Sequence, residues 1–289
     1  MLSLTTDNEI RQQVREFYES VGWTNIGGGL YQNARYEDLR PVAREYITRC
    51  HRRVRDRLPR QGDAILDAGS GPIQYPEYLE FSQGFSRRVC LDISRRALGE
   101  ARARVGDHGL FVVGDISRLP FCSEAFDAAV SMHTVHHVPL NHQRDAFEEL
   151  YRVQRPGAPV VVIHSWGRNS VLMRVLEGPQ KAVLWVRTWI ARLRGRGQPA
   201  ARTGALGQPG TYTHHPRPRD LVGSLKHLPE LEVRVWRSVS TGFMRAFIDP
   251  RLFGREILRL VYWIEERAPH VLGRWGQYPL VSYRKPPRE

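Results

Sequence analysis

Lysine is nearly absent from this chain. Of 43 basic residues only Lys181, Lys226 and Lys285 are lysine, so 40 are arginine. Coding bias produces such a skew, and most of the arginines are scattered over predicted helices, so the formal net charge of +13 does not by itself define a nucleic-acid surface. Cysteine is also scarce. Cys50, Cys90 and Cys122 are odd in number, far apart and without metal-ligand spacing, which argues against a disulfide framework and predicts unpaired thiols in a reduced, cytoplasmic compartment. Cys90 falls in a predicted central strand and reads as a small core residue. No apolar run approaches the ~20 residues of a membrane span. The start, Met1 to Asn8, has neither the basic stretch nor the apolar block of a signal peptide. A G-x-G-x-x-G fingerprint is missing too, which argues against a nicotinamide-dependent dehydrogenase.

What is present is a series of short apolar strands that each end in an acid or a polar turn. Ala64-Ile65-Leu66-Asp67-Ala68-Gly69-Ser70-Gly71-Pro72 is a buried-type strand running into a glycine-paced turn. Gly69 and Gly71 lack a Cβ, so the backbone can turn tightly and admit a ligand closely. Val89-Cys90-Leu91-Asp92-Ile93 ends in an acid 25 residues after Asp67, where a carboxylate can accept hydrogen bonds from both ribose hydroxyls of a nucleoside. Phe111 to Ile116, Phe126 to Ser131 and Pro159 to Ile163 supply three more strands. Separated by helix-length segments, the five predict a parallel, doubly wound α/β sheet.

The stations Leu66-Asp67-Ala68-Gly69-Ser70-Gly71, Leu91-Asp92-Ile93-Ser94, Gly114-Asp115-Ile116-Ser117-Arg118-Leu119-Pro120-Phe121, Phe126-Asp127 and Glu149 to Gly157 together resemble the class I S-adenosylmethionine-dependent methyltransferases. Within that class the chain is most similar to the branch containing the ubiquinone/menaquinone biosynthesis enzymes. The resemblance covers about residues 60 to 165. It implies a Rossmann-like, seven-stranded sheet with an antiparallel last strand and helical cap insertions, with S-adenosyl-L-methionine as cofactor and S-adenosyl-L-homocysteine as product. Asp67, Gly69 and Gly71 would then contact the methionine portion. Asp92, with Ile93, would hold the ribose, Asp115 and the Ile116 N–H would read the adenine edge, and Ser131, Met132 and His133 would lie along the methionine and sulfonium. One departure concerns the loop, where the family often carries a third glycine and this chain has Ile73.

Four segments follow from this pattern: an N-terminal helical lid segment (1–59), the cofactor-binding core (60–165), a basic helical insertion or cap (166–227) and a C-terminal part of the sheet with a helical insertion (228–289). Thr6 and Glu9 have capping-box spacing, and Ile10, Val14, Phe17 and Val21 recur at helical intervals. Trp23, Tyr31 and Tyr36 cluster about Gly27-Gly28-Gly29, and Pro41 to Leu58 reads as the helix leading into the sheet. This aromatic-rich start either folds over the cofactor or packs as a first helix on the sheet. In the insertion, Val171 to Leu176 and Ala182 to Leu193 read as two helices interrupted by Gly178-Pro179, and Gly195 to Gly210 as a loop. The stretch 166–226 carries eleven basic residues against Glu177 and Asp220. Its second helix, with Trp185, Trp189 and flanking arginines, suits a peripheral membrane interface through 182–196, although packing on the sheet or a neighbouring subunit is the ordinary fate of such a face. Leu231 to Val239 and Gln277 to Tyr283 read as the last two strands, with a helix from Leu252 to Ile264 between them.

Methyl transfer from a sulfonium needs a nucleophile held in line and water kept out; an alcohol or phenol acceptor also needs a base, whereas a carboxylate or thiolate does not. His133, His136 and His137 follow the fourth strand. They are the candidate catalytic bases, and a cofactor-lining role is the alternative for the same rings. Tyr31, Tyr36, Tyr212 and His214 are candidate substrate contacts; each also suits aromatic packing. No Asp, Glu or His spacing defines a metal site. The reading that results is methylation of oxygen, carbon or nitrogen on a small, hydrophobic or ring-containing acceptor. The run His136-His137-Val138 with Arg144, Glu149 to Val153 and Trp166 is also similar to the tRNA wobble-uridine carboxymethyl ester methyltransferases, which keeps tRNA as an alternative acceptor. A non-catalytic nucleotide-binding protein and, against the missing fingerprint, a NAD-dependent dehydrogenase on the same fold are the remaining alternatives.

Overall fold

A computed structural model describes residues 6–27, 30–193 and 210–288. Seven strands form one sheet: β1 Gly62–Ala68, β2 Phe85–Asp92, β3 Gly109–Val113, β4 Ala128–Met132, β5 Pro159–Ile163, β6 Glu232–Arg237 and β7 Tyr278–Arg284. Their spatial order is β3-β2-β1-β4-β5-β7-β6. The first five pair in parallel, and β7 runs antiparallel between β5 and β6. Strand order reverses between β1 and β4, so a crevice opens at their carboxyl ends, where sheets of this kind bind ligands. The third strand ends at Val113 instead of continuing to Ile116. There the Gly114 N–H bonds back to the Asp92 carbonyl, and a turn from Asp115 to Arg118 begins.

Side-chain alternation along the strands separates two apolar layers. Ile65, Cys90, Val130 and Val161 pack in one with Val42, Tyr46, Ile47, Cys50 and Val54 of α2 (Pro41–Arg55). Leu66, Leu91, Ala129 and Val160 join the other with Phe147 and Leu150 of α4 (Gln143–Arg152). The first helix, Asp7–Phe17 (α1), starts with Thr6 and Glu9 exchanging hydrogen bonds in a complete capping box. α3, Arg95–Val105, is capped by the Ser94 hydroxyl. All three cysteines are free; Cys50 and Cys90 are buried.

Two readings of the insertion are corrected. Residues Val171–Leu193 form a single helix, α5, with Pro179 inside it. Pro179 has no N–H for the Val175 carbonyl and its ring crowds that carbonyl; Gly178, lacking a Cβ, relieves the further clash between the ring and the residue before it, and the helix runs on past the missing hydrogen bond. The apolar residues of its second half do not pack on the sheet. Trp185 is 68% exposed and Trp189 52%, and Leu184, Val186, Ile190 and Leu193 are also exposed. The predicted loop from 195 to 210 lies, apart from Gly210, outside the described residues. α6 (Pro218–Ser224) precedes β6, and three helices rather than one separate β6 from β7: α7 Thr241–Phe247, α8 Gly254–Arg267 and α9 Pro269–Trp275.

α8 is fastened to the sheet by one buried carboxylate. Glu265 accepts hydrogen bonds from Tyr46 Oη (2.6 Å), Arg53 Nη1 (2.9 Å), Ser238 N (2.7 Å) and Ser238 Oγ (2.6 Å). It has no exposed surface. Glu265→Ala is expected to lower stability by about 3 kcal/mol, because it strips the buried Tyr46 and Ser238 donors of their acceptor and leaves Arg53 paired with Glu266 alone. Glu148→Ala, which breaks the exposed pair with Arg144, is expected to cost no more than about 0.5 kcal/mol. Urea denaturation midpoints of the two variants check this difference.

Candidate active site

The carboxyl ends of β1, β2 and β4 open into a cavity of about 590 Å³. One end is built by the turn after β1. The Gly69 and Ser70 N–H groups both donate to the Leu91 carbonyl, at 2.7 and 3.1 Å, which draws the turn over β2. Gly69 and Gly71 have φ of +73° and +55°; a Cβ at Gly69 would lie 2.2 Å from Thr134 Oγ1, and one at Gly71 3.0 Å from the Trp23 ring. Ile73 occupies the third glycine station and adopts φ +55° all the same. A β-branched residue there stores about 1–3 kcal/mol of strain. Its side chain is fully buried, and that burial offsets the strain.

The Asp92 carboxylate lies next to this turn. Its oxygens accept from Gly71 N (2.8 Å) and Ser94 N (2.9 Å), leaving lone pairs for further donors. Burial raises its pKa to about 6, against the lowering effect of the Ser94 and Gly71 hydrogen bonds. Asp115 accepts from Arg11 Nε at 2.8 Å and from the Ser117 N–H and hydroxyl. Ile93, Ile116, Met132 and His133 also line the cavity. Asp67 does not. Its carboxylate is turned into the sheet, where Arg88 donates to it through Nε (3.2 Å) and Nη2. Ser131 is buried outside the cavity lining, with its hydroxyl unpartnered.

The N-terminal segment forms one wall. Arg11, Val14, Phe17, Tyr18 and Trp23 all face the cavity, and Trp23 stacks on Tyr18 with ring centroids 5.2 Å apart. Glu19 binds the N–H groups of Arg95 (2.5 Å) and Arg96 (3.2 Å) at the start of α3. His137 bridges two segments: Nδ1 is 2.8 Å from the Tyr212 carbonyl and Nε2 is 2.8 Å from Tyr18 Oη. A carbonyl can only accept, so Nδ1 carries the proton and Nε2 accepts from the tyrosine. Burial lowers the His137 pKa to about 4.

His133 and His136 are brought together, ring centroids 6.4 Å apart. Burial first, then Arg237 for His133 and His137 for His136, holds both well below the ordinary imidazole range. Arg237 also lines the cavity; it pairs with Glu37, and its guanidinium lies 4.6 Å from the Tyr278 ring centroid. Tyr36, Tyr75 and Tyr78 are further lining residues.

Of the candidate substrate contacts only Tyr36 lines the cavity. Tyr31 is buried and donates to Glu100 at 3.0 Å. The Tyr212 hydroxyl reaches the Leu140 N–H at 3.3 Å. His214 donates its backbone N–H to His136 O at 2.8 Å. Sequence reasoning passed over Arg11, Tyr18, Thr134, Glu37 and Arg237. Tyr18 adjoins the Phe17 already marked as an apolar helix position; Glu37 and Arg237 are 200 residues apart, and no local pattern joins them.

These features fit an adenosyl cofactor. The glycine turn is a cradle that any Cβ would obstruct, and the buried Asp92 has free lone pairs beside it. Sheet, turn and acid are similar to those of class I S-adenosylmethionine-dependent methyltransferase domains. Residues 66–162 match the family described as methyltransferase domain. The ubiquinone/menaquinone biosynthesis C-methyltransferase UbiE of Cereibacter sphaeroides is 34% identical over 112 residues, covering 36% of this chain and 43% of that protein. The tRNA (carboxymethyluridine(34)-5-O)-methyltransferase of Arabidopsis thaliana is 28% identical over 182 residues, covering 60% of this chain and 37% of that protein. The chain thus spans about two-fifths of the length of these curated relatives. In structure, phosphoethanolamine N-methyltransferase 1 of Haemonchus contortus, solved with phosphoethanolamine and S-adenosylhomocysteine, superposes with a TM-score of 0.61. The identity is 10%, over 97% of this chain and 50% of that one.

A carboxylate accepts ribose hydroxyls better ionised than protonated. With Asp92 titrating at about 6 and His137 held down to about 4, S-adenosylhomocysteine affinity is expected to be full only above about pH 7. It should fall about tenfold between pH 7 and about 5 as Asp92 takes up its proton. Calorimetric titration across that range checks it, and Asp92→Asn should flatten the profile.

Proposed function

We propose that this chain transfers the methyl group of S-adenosylmethionine to a small-molecule acceptor. One observation carries the reading: a single cavity is lined both by the glycine turn and Asp92 and by tyrosines and the Glu37–Arg237 pair. The cofactor supplies an electrophilic methyl on a sulfonium. In this reading the chain's own residues do the remainder. Asp92 holds the ribose, Gly69 and Gly71 let the backbone approach, and Ile116 offers its N–H to the adenine edge. Tyr18 and Trp23 cover the pocket and exclude water. His133 and His136, being buried and disfavoured as imidazolium, serve to line and orient more than to hold a proton, which suits an acceptor atom that attacks without prior deprotonation.

tRNA is the second reading for the acceptor. It is favoured by the extent of similarity: the Arabidopsis thaliana tRNA enzyme matches 60% of this chain, against 36% for the quinone-pathway relative. For the exposed tryptophan-bearing half of α5 we propose a peripheral contact with a membrane interface. Residues 182–196 contain Arg187, Arg192, Arg194 and Arg196 and no acid, a pairing of apolar surface and positive charge suited to anionic lipid.

Calorimetry with S-adenosylmethionine and S-adenosylhomocysteine tests the cofactor, with NADH as control. Binding of the adenosyl ligands and not of NADH is the expected result; failure of both adenosyl ligands would return the chain to a non-catalytic binding role. For the membrane contact, the protein should sediment with vesicles containing anionic lipid and not with purely zwitterionic ones. Trp185→Glu/Trp189→Glu should abolish that sedimentation.

A further inference from the structure

Outside the methyl-transfer cavity, the described residues contain a second groove of about 860 Å³ whose charged lining is entirely basic. Arg174, Arg217, Arg219, Lys226 and Arg274 all face it, with Trp275 among them. None of the five cations forms an ion pair within the described residues. Elsewhere the chain pairs its arginines freely with acids, as Arg53, Arg88, Arg152, Arg155, Arg237 and Arg259 show. Five like charges facing one groove repel each other, and the repulsion is relieved when an anion enters.

The groove shares its wall with the cavity. Along one segment Thr211, Thr213 and His215 line the cavity, while Arg217 and Arg219, two and four residues beyond His215, line the groove. Along a second segment Gly167 lines the cavity and Asn169 and Val171 the groove. The two segments are joined at the boundary, where Asn169 Nδ2 donates to the His215 carbonyl at 2.7 Å. A ligand longer than the cavity therefore has a cationic surface next to it.

We propose that this groove binds phosphate groups of the methyl acceptor, whose reactive end enters the cavity. Guanidinium groups present paired N–H donors that match phosphate oxygens, so arginine is the residue suited to this task. The role assigned to the cavity rests on the methyl-transfer reading; anion binding by the groove does not. Phosphate of this kind comes either from a phosphorylated metabolite or from the backbone of RNA.

The test uses calorimetry on the whole chain with two probes, inorganic pyrophosphate and a short single-stranded RNA. Each is titrated at several salt concentrations into the wild type, into Arg217→Gln/Arg219→Gln/Arg274→Gln, and into Arg251→Gln/Arg255→Gln/Arg267→Gln as a charge-matched control away from the groove. The expected result is binding of at least one probe by the wild type and control, and at least a tenfold loss in the groove variant. The RNA salt slope should also become shallower in that variant. RNA binding far tighter than pyrophosphate identifies a nucleic-acid acceptor, and comparable binding of the two a phosphorylated metabolite. Equal losses in the groove variant and control, or no binding of either probe by the wild type, would overturn the proposal. S-adenosylhomocysteine is titrated into each protein alongside. Its failure to bind while the groove still takes pyrophosphate would sink the methyl-transfer reading and leave the groove standing.

Discussion

The carboxyl edge of the sheet depends on the buried pairing of Asp67 with Arg88. β1 and β2 lie side by side, and each brings a charge into an otherwise apolar layer. Neither charge is tolerable there alone. Together, with Arg88 Nη1 also donating to the Tyr78 carbonyl at 2.6 Å, they tie β1 and β2 to the short helix Pro76–Ser82 that lies between them in the chain. The turn with Gly69 and Gly71 starts two residues after Asp67. Asp67 therefore belongs to the frame behind that turn and is not among the residues that line the cavity.

The same arrangement recurs elsewhere on that face of the sheet. Glu37 meets Arg237 at the cavity wall, and Glu265 meets Arg53 beneath α8. In each case the cation is arginine, whose forked donors can satisfy a carboxylate and a backbone carbonyl at once, as Arg53 does with Glu265 and the Trp236 carbonyl. The scarcity of lysine thus has a structural counterpart, whatever its origin in the coding sequence. Arginines inside the protein hold distant segments together, while those lining the second groove have no acid partner among the described residues.

Much of the fold was legible because its signals are local. The five parallel strands, the two that close the sheet, the capping box at Thr6 and the glycines at 69 and 71 each follow from a few neighbouring residues. The acid at Asp92 was legible for the same reason, its station after β2 being set by spacing. What could not be read depended on distance or on compensation. Tyr31 and Tyr212 look like pocket aromatics in sequence, but Glu100 and the Leu140 N–H take their hydroxyls. Gly178-Pro179 looks like a helix stop, yet α5 runs through it, the glycine lifting only the crowding between the ring and the residue before it. Ile73 looks incompatible with a glycine station, but its burial keeps it in the left-handed conformation.

His137 has both ring nitrogens committed, one to the N-terminal segment through Tyr18 and one to the chain around Tyr212. Neither segment can move away from the core without giving up a bond to the same imidazole, and the ring keeps both partners only in one tautomer. The two coverings of the cavity are thereby coupled: loosening one removes a restraint on the other. The local stabilities of the two segments are then linked through one ring.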